Sequence, residues 1–82
     1  MKTLKLENTY STHEQFYISL IDEINQTNEN VLGDVYKIKF DDTRNNCIFV
    51  TNDQLNLFII DLPVIHEDEE LISVEYNINK II

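Results

Sequence analysis

The chain has 82 residues, 43% of them hydrophobic, and fifteen acidic residues against six basic ones give a formal charge of −9. That length suits a single domain over residues 1–82 with one modest core, and its regular apolar periodicity excludes a disordered acidic tail. A negative field this dense repels nucleic acid and anionic membrane faces and attracts basic protein surfaces.

Residues 3–7 alternate, with Leu4 and Leu6 on one side, and predict a short strand. Lys5 on the other side suits an edge, where charge discourages stray pairing. Ser11-Thr12-His13-Glu14 reads as a capping box, with Ser11 and Glu14 as its reciprocal partners. Phe16, Leu20, Ile21 and Ile24 then recur at helical spacing, so a helix is expected over about 12–26. Residues 27–30 read as a loop and Gly33-Asp34 as a turn into the sheet.

From there the period is two. Tyr36, Ile38 and Phe40 are expected to share one face of a strand, opposite Lys37 and Lys39. The polar run from Asp41 to Asn46 is a hairpin connection, and Ile48 and Val50 alternate with Cys47, Phe49 and Thr51 in the next strand. Residues 55–62 are apolar on both faces, which predicts a central strand. Pro63 should stop it, because proline cannot donate to a ladder. His66-Glu67-Asp68-Glu69-Glu70 is an acidic loop, and Ile72, Val74, Tyr76 and Ile78 alternate in a last strand. The expected fold class is α+β: one helix packed on a mainly antiparallel five-stranded sheet, in the order β-α-β-β-β-β.

No constellation of catalytic residues stands out. His13 and His66 flank separate elements, no Ser or Cys has a visible base, and a chain with one glycine has no phosphate-binding loop. The 66–70 run lacks the spacing and glycine of a calcium loop and reads as a solvated acidic turn, so no metal and no cofactor are expected. Cys47, the single cysteine, cannot form an intramolecular disulfide, and residues 1–7 contain no apolar run of leader or membrane-span length. The expected location is cytoplasmic and the expected class is not an enzyme. Solubility alone is the plain account of the acidity, and a ligand for a basic protein is the functional one.

The order of motifs from Gly33 to Asp53 carries a resemblance. Asp34 leads through apolar alternation to Phe40-Asp41-Asp42, and after a polar turn comes Ile48-Phe49-Val50-Thr51-Asn52-Asp53. Residues 57–61 and the end Asn79-Lys80-Ile81-Ile82 extend the match, as do residues 2–9 and His13-Glu14-Gln15-Phe16. In these features the chain resembles the uracil-DNA glycosylase inhibitor family of phages and mobile elements, small acidic proteins that mimic DNA. The family's first helix has no counterpart here, the turn after Asp53 is shorter, and Asn8 falls near the family's key carboxylate, next to Glu7.

The resemblance implies a DNA-mimicking inhibitor that forms a 1:1 complex with uracil-DNA glycosylase and occludes its basic cleft. Glu7, Asn8 and Thr9 would be edge-strand contacts, Glu14 or Gln15 would lie near the helix start, and Asp53 would add an acidic contact. Phe16, Leu20, Ile48 and Val50 would line an apolar pocket between helix and sheet; their periodicity by itself favours ordinary core. Two other classes share the acidity. One is an inhibitor of another nucleic-acid enzyme, such as a restriction or CRISPR nuclease, and the other is an immunity or antitoxin protein.

Overall fold

A computed structural model describes residues 2–41 and 46–82. Six elements follow in chain order: β1 (Lys2–Glu7), α1 (His13–Thr27), β2 (Val35–Asp41), β3 (Cys47–Asn52), β4 (Leu57–Glu67) and β5 (Leu71–Lys80). The strands form one antiparallel sheet in the order β1-β5-β4-β3-β2, so β4 is central and β1 and β2 are the edges. This is the α+β architecture expected, with Lys5 on an edge strand.

Alternation in every strand turns one sheet face toward the helix. Leu4 and Leu6, Ile48 and Val50, Phe58, Ile60 and Leu62, and Ile72, Val74 and Tyr76 are buried there. Phe16, Leu20, Ile21 and Ile24, at helical spacing on α1, complete a single core with Leu32. Such burial removes apolar surface from water on both layers at once and is the main stabilising term for a domain of this size.

Four local expectations change. The helix is capped by Thr12, whose Oγ1 accepts from the Gln15 N–H at 3.2 Å, while the Gln15 side-chain carbonyl accepts from the Ser11 N–H and hydroxyl. The capping pattern occurs twice, one residue apart, and the Thr12 cap brings Tyr10 edge-on to Phe16 at 5.7 Å. β4 runs through Pro63 to Glu67 because the register shifts between Asp61 and Val64, an irregularity that accommodates a residue without an N–H. β4 also begins later than expected, since Leu55 sits in the preceding turn with φ 62°. Tyr36 is the extra residue of a second register shift, between Val35 and Lys37, which the alternation did not announce; it lines the same concavity as Ile38 and Phe40, as expected, but remains largely exposed. The expected hairpin connection after Asp41 falls largely on residues 42–45, outside those described.

Candidate functional site

Sheet pairing gathers five acidic residues, Glu7 and the 67–70 run, at one end of the molecule. Glu7, the last residue of β1, is paired with Leu71, the first of β5, and so lies against the tight β4–β5 turn. Asn8 clips the two together, its backbone N–H donating to the Glu70 carbonyl at 2.9 Å and its side-chain amide to the Asp68 carbonyl at 2.7 Å. Within the turn, one Asp68 carboxylate oxygen accepts from the N–H groups of Leu71 at 2.7 Å and Glu70 at 2.9 Å. Those two bonds, helped by nearby His66, hold the Asp68 carboxyl below its ordinary range. Glu7, Glu67, Asp68, Glu69 and Glu70 are all exposed here.

Beyond His66, the sequence places no counter-charge among them. Lysine and arginine are absent from residues 6–36 and from 45–79. On β1 itself the cations Lys2 and Lys5 precede the acid, and the Lys2 ammonium donates to the side-chain carbonyl of Asn28. The negative character of this edge therefore belongs to its end and the adjoining turn, not to the length of the strand.

Beside this end is a concavity of about 440 Å³ between the close of β1, the start of α1 and the end of β4. Asn8, Tyr10, His13 and Glu67 form its rim, and buried Phe16 and Ile72 form its apolar floor. Thr9, Glu14 and Gln15 are exposed on the same connection and first helical turn. Gln15 is partly committed to the helix cap; Glu14 is a first-turn acid, favoured there by the helix dipole.

The ten residues singled out in the sequence thus divide three ways. Asn8 and Phe16 line the hollow beside Glu7 at the acidic end, with Thr9 and Gln15 on the chain that links them, while Glu14 on that chain lines the concavity between α1 and β2. Asp53 follows the close of β3, in the turn at the opposite end, in a polar depression shared with Lys2, Asp34 and Lys80. Leu20, Ile48 and Val50 are each 0% exposed. With one helix covering five strands, these central positions are filled by packing, so they form closed core and line no open pocket.

The turn 67–70 and the side chains of Tyr10, His13 and Ile72 are the parts of the site that the sequence did not join. Pairing of β1 with β5 across more than sixty residues brings them together, and no local pattern reports such a pairing. A second apolar concavity of about 570 Å³ lies at the far side of the helix, between α1 and the β2 edge. Among the described residues no group of three or more His, Cys, Asp or Glu side chains could hold a metal ion, and no helix is long and apolar enough to cross a membrane.

Fold and site together define a one-helix, five-stranded antiparallel α+β domain with an acidic end beside an apolar-floored hollow. No family model, no curated protein and no solved structure matches the chain.

Proposed function

We propose that this protein is a non-catalytic acidic ligand that occupies the basic DNA-binding cleft of an enzyme, uracil-DNA glycosylase being the partner that the sequence resemblance names. The observation that carries the reading is the joining of Glu7 to the 67–70 turn through Asn8. It sets five carboxylates on one exposed end, in stretches of chain without lysine or arginine. A basic cleft would be drawn to that end by long-range steering, and the hollow floored by Phe16 and Ile72 would receive an apolar side chain from the enzyme. Full burial of a leucine-sized side chain contributes about 1.5–3 kcal/mol that salt does not screen.

Uracil excision from a DNA substrate, titrated with this protein, is the deciding measurement. Stoichiometric loss of excision is expected, and full activity at excess protein would sink the reading. The closed state of Leu20, Ile48 and Val50 favours one alternative. An inhibitor of another nucleic-acid enzyme would use the acidic end alone and need no pocket for an inserted side chain. It would leave uracil excision untouched and inhibit a nuclease in the same titration format.

A further inference from the structure

We propose that the free edge of β2 is a docking site for an extended segment of a partner protein, apolar and basic on one face and acidic on the other. β2 is paired only with β3, so among the described residues its outer edge has no strand beside it. The shift at Tyr36 breaks the ladder at one end, which leaves Lys37 to Asp41 as the regular stretch. A segment added there would send alternate side chains to opposite faces.

The two faces differ in chemistry. On the helix side lies the 570 Å³ groove, floored by Ile21, Ile38 and Phe40, with Tyr17 stacked on Phe40 at 4.9 Å and Ile18 47% exposed. Its helix rim carries Glu14 and Asp22 and no cation. On the opposite face the same strand presents Lys37 and Lys39, both exposed. An incoming strand is therefore matched by apolar and basic residues toward the groove and acidic residues toward the lysines.

A second copy of this chain does not meet that requirement. Antiparallel self-pairing of β2 would bring Ile38 and Phe40 of the second copy to the groove side in any register, with no cation for Glu14 and Asp22. Centred on Ile38 it would also set Lys37 opposite Lys39, and like charges directly opposed are destabilising. The occupant is a different protein. The site lies at the opposite sheet edge from β1, so it stands or falls apart from the reading of the acidic end.

The probe is a seven-residue peptide with Lys, Leu, Val and Lys at its odd positions and Glu, Glu and Thr at its even ones. Its control exchanges the Lys and Glu residues. Amide chemical shifts and hydrogen exchange are followed in the intact protein. The first peptide should shift the amides of β2, protect those of Ile38 and Phe40, which face the edge, and perturb Ile18, binding about tenfold more tightly than the control. Lys39→Glu, at an exposed position, should reduce the preference several-fold, and Ile18→Lys should weaken the first peptide. Equal binding of the two peptides overturns the proposal, as do shifts centred on β1 or the 67–70 turn, no binding at about 1 mM peptide, or concentration-dependent shifts of β2 without peptide.

Discussion

Asn52 is buried at 4% exposure, and each of its polar atoms has work within the fold. Its side-chain amide donates to the Leu32 carbonyl at 2.9 Å, and its side-chain carbonyl accepts from the N–H groups of Gln54 and Asn56 at 3.0 Å each. One side chain thus ties the segment after α1 to the β3–β4 turn. Gly33 lies against it: φ is 72°, and an added Cβ would stand 3.2 Å from the Asn52 amide nitrogen. Asn52→Ala should cost about 1–3 kcal/mol, because three backbone groups lose partners and not all regain water. Urea unfolding followed by circular dichroism measures it. Asp68 plays the matching part at the acidic end, but on the surface. Its folded carboxyl titrates below the ordinary value, so its stabilising contribution is present above about pH 4 and fades as pH falls through the lower folded value. Asp68→Ala should lower the melting temperature at pH 7, and the gap from the parent protein should narrow as the pH falls through the lowered folded-state value of Asp68.

At the scale of elements, α1 supplies the whole second layer, so its start and its buried stripe are the sensitive points. Thr12→Ala should cost about 1 kcal/mol by leaving the Gln15 N–H without its cap. Leu20→Ala, at the fully buried centre of the stripe, should cost about 2–5 kcal/mol. Glu14 takes no part in the cap hydrogen bonds, so Glu14→Ala should cost only the few tenths of a kcal/mol, about 0.3 at an exposed site, that a first-turn charge contributes. Thermal unfolding of the three variants orders them, and a Glu14→Ala loss as large as that of Thr12→Ala would restore the capping box first expected at Ser11. The element types were legible in the sequence because periods of two and 3.6 are local signals. Pro63 was misleading because the cost of proline depends on whether its position needs a donor, and the register shift that removes the need is set by β5. The misplaced cap has a simpler origin, two overlapping matches to one pattern.

For the molecule as a whole, the sign of the charge could be read from the sequence and its placement could not. Glu7 and the 67–70 run are far apart in the chain and belong to different elements. Only the sheet order, with β1 laid against β5, makes them one surface and sends Asp53 to the other end. The pocket that the resemblance implied is closed at Leu20, Ile48 and Val50, which periodicity by itself put in ordinary core; periodicity does not say where a single helix leaves the core uncovered. This placement separates two sources of affinity for a basic cleft. If the acidic end does the steering, Glu7→Ala combined with Glu67→Ala and Glu69→Ala should slow association with the target enzyme about tenfold or more at low salt. The same variants should have little effect at high ionic strength, where charges more than about 8–10 Å apart are screened. Asp53→Ala, with its charge removed from the opposite end, should change the association rate far less. Stopped-flow association across a salt series distinguishes the cases, and a slowing by Asp53→Ala as large per charge removed as that of the triple variant would mean that net charge, without any favoured end, guides the encounter.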